Sequence, residues 1–342
     1  ANTSRVQGIS KMKNLRIVHC ANFSESKFGK VFYSIDRKIS NGLIRNGHFV
    51  YDFSYREVAK SLTFLKRKKL GAKKMNAKLL ETISNVEPDL LLLGHSELVH
   101  ANTLKQIKEA FPNIKIAMWW VDPFDRIAHI DERLPYLDVF FATTSPEYYK
   151  QFFTNSTEFE YMPNVCDNSI ETLKAFEHQT FDHDLVFIGR SDDNRKDFIN
   201  KLSHIEEIDF KIFGNNKQSL IFGQNFLNTI AQSKMTVNYS RYNDIPLYSS
   251  DRVIQLLAQG SLVFSPRIPE FERLFSEEEI VYVDEFDDLE KKLIFYKNND
   301  EKRVEISKKG WEKAHRLFDS TVVTEEMLKV IFKSDNDPLY SK

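Results

Sequence analysis

Two cysteines in 342 residues, Cys20 and Cys166, stand in different halves of the chain with neither a CxxC pair nor a histidine cluster beside them. That scarcity excludes a disulfide framework and a structural zinc site, and it fits two buried thiols in a reducing cytoplasm. Long apolar runs are missing too. Leu90 to Leu93 and Ile116 to Val121 are strand-sized, well short of the roughly 18 residues of a spanning helix, so a soluble chain is expected. Ala1 to Lys11 is polar and lacks an apolar signal core; nothing in it calls for secretion, and Met12 reads as a natural start. The net charge is only −1, whereas a general nucleic-acid binder carries a basic excess, so no nucleic-acid partner is expected. Neither GxGxxG nor a Walker phosphate loop follows Cys20 or Ile188, which removes the usual cradle of a nicotinamide dehydrogenase or a phosphate-loop ATPase. There is no fixed-period repeat, low-complexity tract or metal motif.

What is present reads as two alternating α/β halves. Leu15 to Cys20 is expected as a strand, followed by a polar loop through Gly29, an amphipathic helix from about Val31 to Arg45 and a turn into a strand at Phe49 to Phe53. A basic helical stretch from about Lys60 to Leu80 precedes strands at Leu90 to Leu93, Ile114 to Trp120 and Val139 to Ala142, with a helix at Ala101 to Ala110. After the irregular run from Met162 to His183, strands at Leu185 to Ile188, Phe210 to Phe213 and Met235 to Tyr239 alternate with helices at Lys196 to Leu202 and Phe222 to Gln232. Helices at Glu285 to Lys297, Asp300 to Arg316 and Thr324 to Phe332 close the chain. This order implies mostly parallel sheets covered on both faces, with domains over 13–165 and 166–320 and a C-terminal helix and tail over 321–342.

Open parallel sheets bind ligands at the carboxyl ends of their strands, and two such domains invite a ligand between them. After Ile188, Gly189 permits a sharp turn, and Arg190, Arg195 and Lys196 can neutralise a diphosphate or simply pair with local aspartates. Ser249-Ser250-Asp251-Arg252 opens a short amphipathic helix whose first N–H groups and positive dipole end suit an anion; Gly260 stops it, the residues to Ser265 read as a buried strand, and Pro269-Glu270 reads as a second helix start. Arg252 in that first turn is unfavourable unless a bound anion, Asp251 or Glu270 lies near. In the first half, His95 and Asp122 each follow a strand and are candidates for a base that removes a hydroxyl proton, or for caps of the turns they occupy. Trp119 and Trp120 are expected in the core, while Tyr239 and Tyr242 either shape a pocket or pack a loop.

In chain order, Leu185 to Arg190 with Arg195, then Asp251 to Val263, then Pro269 to Phe275, and finally Lys309-Gly310 with Phe318 form a set that resembles the nucleotide-binding domain of GT-B glycosyltransferases. Within those it resembles the spore-maturation (CgeB-like) group. The resemblance covers most of 185–320 and, more loosely, the first half. It implies an α/β fold of GT-B architecture, two Rossmann-like doubly wound domains facing a central cleft. The function it implies is metal-independent transfer of a sugar from a nucleotide-sugar to a glycan, lipid-linked or other acceptor, with no separate cofactor and a nucleoside diphosphate as product. The first domain would bind the acceptor, with His95 or Asp122 as base. The second would bind the donor: Gly189, Arg190, Arg195, Lys196 and Arg252 at the diphosphate with the helix start at Ser249 and Ser250, and Gln255, Tyr242 and Glu270 at the nucleotide or sugar. The terminal helices would cross back to the first domain. Retaining relatives carry paired glutamates eight residues apart, and the corresponding residues here are Leu247 and Gln255. Retention is therefore not supported, and a non-catalytic GT-B-like partner protein with a decayed donor site, or a nucleotide-sugar epimerase, is the competing reading.

Between Lys60 and Lys78 there are eight basic residues and no acidic one. Such a face is either a solvated helix or an approach to an anionic membrane or acidic acceptor, which would place the chain peripherally on the inner membrane face.

Overall fold

The computed structural model describes residues 14–124, 130–153, 157–190, 192–334 and 339–340; Met12, Asp125 and Ser191 lie outside them. The first sheet contains β1 (Arg16–Ala21), β2 (Phe49–Ser54), β3 (Leu90–Gly94), β4 (Lys115–Trp120), β5 (Val139–Ala142) and β6 (Glu158–Tyr161), all parallel, in the order β2-β1-β3-β4-β5-β6. Its helices are α1 (Ile35–Arg45), α2 (Tyr55–Ser61), α3 (Lys68–Val86), α4 (Ala101–Ala110) and the single turn α5 (Pro146–Tyr149). The second sheet contains β7 (His183–Ile188), β8 (Phe210–Phe213), β9 (Ser233–Val237), β10 (Leu262–Pro266) and β11 (Val281–Val283), also parallel, in the order β11-β10-β9-β7-β8. With it go α6 (Asp193–Leu202), α7 (Gln224–Ala231), α8 (Arg252–Ala258), α9 (Phe286–Lys297), α10 (Asp300–Leu317) and α11 (Ser320–Ile331).

The alternation of apolar side chains along each strand builds four cores, one on each face of each sheet. On the first sheet, Val18, Leu91, Met118 and Phe140 point toward α2, α3 and α4, while Ile17, Leu92, Trp119 and Phe141 point toward α1 and α11. On the second, Val186, Ile188 and Val263 pack with α7 and α8, and Leu185, Phe187, Met235 and Phe264 pack with α6 and α9. Both cysteines are unbonded and buried, and burial pushes the Cys20 thiol up to about 12.

Two expectations are corrected. The basic stretch is not one helix, since the chain leaves the helix over 62–67, with Lys66 at positive φ, and resumes as α3. The helix expected to begin at Glu270 is a single 3-10 turn, Phe271–Arg273, entered through Glu270 at φ 63. Two short edge strands, β6 and β11, complete the sheets beyond the strands read from the sequence.

The last helix belongs to the first domain's core. Val323, Met327, Leu328 and Ile331 of α11 join Ile35, Ile39 and Leu43 of α1. Asp319 caps α11 by accepting from the Thr321 N–H at 3.1 Å, and Asn46 at the end of α1 donates to the Thr321 carbonyl at 2.8 Å. The two helices approach closely at Gly42, where an added Cβ would collide with the Ser320 backbone carbonyl. A backbone atom cannot swing aside as a side chain would. Overpacking costs about 1–3 kcal/mol against a helix-propensity gain of at most about 1 kcal/mol, so Gly42→Ala should lower stability by about 1–2 kcal/mol net in urea denaturation.

Candidate functional site between the two sheets

Each sheet follows the doubly wound order in which the first strand's neighbours leave in opposite directions. That switch point, between β1 and β3 and again between β7 and β9, is where a crevice opens at the strands' carboxyl ends. In the first domain the crevice is a cavity of about 220 Å³ lined by Asn22 after β1, Gly94 and His95 after β3, Asp122 after β4, and Asp36 in the first turn of α1.

Asp36 is placed by local sequence: Ser34 caps α1 by accepting from the Arg37 N–H at 3.4 Å, and Asp36 accepts from the Asn22 N–H at 2.9 Å. Burial, with the Asp251 carboxylate adding to it, raises the Asp36 pKa to about 6 despite that hydrogen bond. Asp36 was not singled out in the sequence. Its signal was an acid one turn into the helix that follows β1.

His95 is held more tightly than a free base. Its ring stacks on Trp120 with centroids 4.0 Å apart, and its Nε2 accepts the Val121 N–H at 3.1 Å. That bond uses the only lone pair of the neutral imidazole and puts the proton on Nδ1, 3.8 Å from the Asp122 carboxylate. Burial lowers the His95 pKa to about 4, so the ring is neutral near pH 7 and has no acceptor left for a hydroxyl proton. This geometry counts against His95 as the base. Asp122 is half exposed and faces the cavity. Trp119 and Trp120 are both buried, and Trp119 donates to His19 Nε2 at 3.1 Å in a network that continues through Ser40 to Asp52.

In the second domain Gly189 ends β7 beside the Arg252 side chain, and a Cβ on it would lie 2.7 Å from Arg252 Nη2. Arg252 sits over the Phe187 ring at 5.1 Å and donates to the Tyr239 carbonyl at 3.3 Å. It makes no ion pair among the described residues, with neither Asp251 nor Glu270 serving as partner. Burial and the nearby Arg195 lower its pKa to about 10. Arg195 is buried and held by Asp192, Nη2 to Oδ2 at 2.6 Å. Arg190 and Lys196 are exposed, with no ion pair among the described residues. Gln255, 7% exposed, lies one turn along α8 from Arg252 and so on the same face, and its amide has no hydrogen-bond partner among the described residues.

The remaining candidates divide. Ser249 is buried and bonded to Asn238, and Ser250 donates its N–H to Ser240 while its hydroxyl is buried without a partner. Tyr242 lies beneath the Arg241 guanidinium at 5.4 Å, and Tyr239 stacks on Phe198 at 4.0 Å. Glu270 pairs with Arg273 at 3.1 Å and lines a different cavity with Leu247, which is buried at φ 61.

Between the crevices lies a buried charge cluster. Lys38 of α1 pairs with Glu171 of the crossing segment, both side chains fully buried, and donates to the Val165 carbonyl at 3.2 Å. Burial opposes the Lys38 charge, but Glu171 and Asp251 outweigh it and raise its pKa, while burial raises those of Glu171 and Asp251. Asp251, at the start of α8, thus feels Lys38 as well as Arg252. Among the described residues no group of three or more His, Cys, Asp or Glu is arranged to hold a metal ion.

Residues 190–329 match the family model described as glycosyl transferase-like. The fold is similar to sucrose-phosphate synthase from Thermosynechococcus elongatus, at 12% identity over 94% of this chain and 100% of that one, with a TM-score of 0.59. It is similar to HepE from Anabaena solved with UDP and glucose, at 11% identity over 94% and 100% of the two chains and a TM-score of 0.55. The DNA-modifying enzyme β-glucosyltransferase gives 14% identity over 93% and 99%, with a TM-score of 0.55. No curated protein matches the chain. The architecture is GT-B, with two Rossmann-like domains.

The charge cluster yields a sharp test. Removing one partner of a buried ion pair costs about 3–5 kcal/mol because the other charge stays buried alone, whereas replacing both is close to neutral. Lys38→Met should therefore be strongly destabilising in urea denaturation. Adding Glu171→Gln, which keeps an acceptor for the Asp167 N–H, should recover most of the loss.

Proposed function

We propose that the protein is a glycosyltransferase that moves a sugar from a nucleotide-sugar bound by the second domain to a glycan or lipid-linked acceptor bound by the first. One observation carries the donor half: the Arg252 guanidinium, partly buried against Gly189, has five N–H donors but only one protein acceptor and no ion-pair partner among the described residues, the Asp251 and Asp192 carboxylates acting on it only from a distance. A diphosphate supplies the missing acceptors and charge, with Arg195 pre-set beside it and Arg190 and Lys196 at the open side. Gln255 then meets a nucleotide hydroxyl from the same face of α8. These side chains, rather than a bound metal, carry the leaving group's charge in this reading. HepE, of the same fold, was solved with UDP and glucose, which supports a nucleotide-sugar as the ligand.

In a single displacement the acceptor oxygen bonds to the sugar's anomeric carbon as the bond to the diphosphate breaks, and the nucleoside diphosphate leaves with the electron pair. The hydroxyl proton goes to a base in the first domain. Asp36 suits that role because it faces the donor domain closely enough to feel Asp251 and its pKa lies nearer to neutrality than an ordinary carboxylate's. Asp122 is the competing carboxylate in the same cavity. The non-catalytic alternative draws on Leu247 and Gln255, which supply no carboxylate to α8 or the loop before it.

Two measurements decide. In a thermal-shift panel of UDP, GDP and ADP, at least one should stabilise the protein by about 2.7 kcal/mol at 100 times its Kd, raising the melting temperature by a few degrees. Arg252→Ala should abolish the shift. Gly189→Ala, whose Cβ meets first the movable end of Arg252 and then the buried Phe187 ring at 3.1 Å, should keep the fold, as urea denaturation would check, and bind about tenfold more weakly. No shift with any nucleotide would sink the donor site. For the base, nucleoside diphosphate release from the donor should rise with pH through about 6, as Asp36 loses its proton, and level off above. Asp36→Asn should lower the plateau about 100-fold or more, whereas a comparable loss only in Asp122→Asn would transfer the role to Asp122.

A further inference from the structure

Beside the acceptor cavity and sharing Asn22 and Arg56 with it lies a basin of about 660 Å³, walled by Ser24, Ser26 and Lys27 on one side and residues 66–70 on the other. Lys27, Lys60, Lys66, Arg67 and Lys69 line it, and none of them makes an ion pair among the described residues. Its single acid, Glu57, is occupied by the Ser26 N–H and the Ser54 hydroxyl. The basin is therefore a concentrated positive site that the protein does not neutralise.

Its rim is apolar. Phe64 is 99% exposed, Phe28 94% and Leu65 60%, and Leu70 lines the basin itself at 59%. Single exposed apolar side chains are ordinary, but here two loops distant in sequence, the turn at Phe28 and the segment 62–67, bring theirs to one cationic opening. Both hold residues at positive φ, Phe28 at 48 and Lys66 at 48. A soluble phosphate has no use for such a rim. An anionic bilayer offers phosphates at the depth of the cations and hydrocarbon just beyond, the arrangement that membrane-surface segments match with lysines behind aromatic and leucine side chains.

We propose that this basin seats the phosphate of an amphiphilic acceptor at an anionic membrane surface, with Phe28, Phe64 and Leu65 entering the lipid and the acceptor's hydroxyl reaching the adjoining cavity. The word acceptor rests on the glycosyl-transfer reading; the membrane contact stands without it.

The test is co-sedimentation of the full chain with vesicles of phosphatidylcholine alone or with 30 mol% phosphatidylglycerol, about the fraction needed to give a cytoplasmic-like surface charge. Binding should appear only with the anionic lipid and fall steeply as salt rises. Phe64→Ser with Leu65→Ser should weaken it by at least about tenfold. Lys66→Glu with Arg67→Glu and Lys69→Glu should weaken it by at least about a hundredfold. The melting temperature and nucleotide shift of each variant should stay at wild-type values, showing that folding and the donor site are intact. Absence of binding to anionic vesicles overturns the proposal, and glycerol phosphate stabilising the wild type but not the triple variant would then reassign the basin to a soluble phosphate. Binding unchanged by the Phe64/Leu65 pair overturns the insertion. A protein that binds vesicles but shows no nucleotide shift refutes the transferase reading and leaves the membrane contact standing.

Discussion

One ammonium group sets the relation between the two halves of this protein. Lys38 projects from α1 of the first domain into a dry space where it meets Glu171 of the crossing segment and the field of Asp251 at the start of α8. An ion pair in such a place adds little net stability, because desolvation of both charges offsets their attraction. What it does supply is a steep penalty for misplacement, since an unpaired charge there costs several kcal/mol. The start of α1, with Asp36, and the start of α8, with Arg252, are thereby held over the same cleft. The α11 crossing reinforces this from outside: a chain that has finished the second domain returns to complete the first domain's core.

The strands that form the sheet centres were legible because parallel strands covered on both faces are continuously apolar; β3 is Leu-Leu-Leu-Leu-Gly and wholly buried. The edges were not. β6, Glu-Phe-Glu-Tyr, is half exposed and alternates with charge, and β11 has three residues, too few to carry a period. The break between α2 and α3 was invisible for a different reason. Nothing over 62–67 is a strong helix breaker, and the reversal is enforced by tertiary contact, with Gly71 of α3 packed onto the Ala59 carbonyl of α2.

The site was legible as positions, less so as roles. Arg252 attracted attention as a cation in a helix's first turn, and its surroundings give it one carbonyl, one aromatic face and the field of Asp251 and Asp192, but no ion pair among the described residues. His95 looked equally suitable as a base, and only the backbone shows that its lone pair is spent on Val121. Asp36 escaped notice because an acid one turn into a helix is what capping alone would place there. Its difference is burial, which no local pattern reports. The His19–Ser40–Asp52 chain behind it, joining β1, α1 and β2 through side chains, was likewise beyond reach of any local reading.

Glu97 explains how a strongly basic basin can adjoin the cavity proposed here to take a neutral hydroxyl. It sits after β3, accepts from Tyr55, and pairs with Arg56 at 2.8 Å and Lys68 at 3.0 Å. Burial opposes its charge, yet the Tyr55 and Lys68 hydrogen bonds and the Arg56 guanidinium outweigh that and lower its pKa to about 2. Glu97 is therefore an anion near neutral pH, and it draws two of the basin's cations, Arg56 and Lys68, into a balanced cluster. The unpaired positive charge is left on Lys27, Lys60, Lys66, Arg67 and Lys69, in and beside the two loops that also carry the exposed Phe28 and Phe64. In the proposed reading this arrangement holds an anionic ligand at the entrance rather than drawing it inward, where it would compete with the donor diphosphate for Arg252 and raise the cost of deprotonating Asp36. On that reading, charge separation between basin and cavity would let a single protein select a phosphate outside and act on a hydroxyl within.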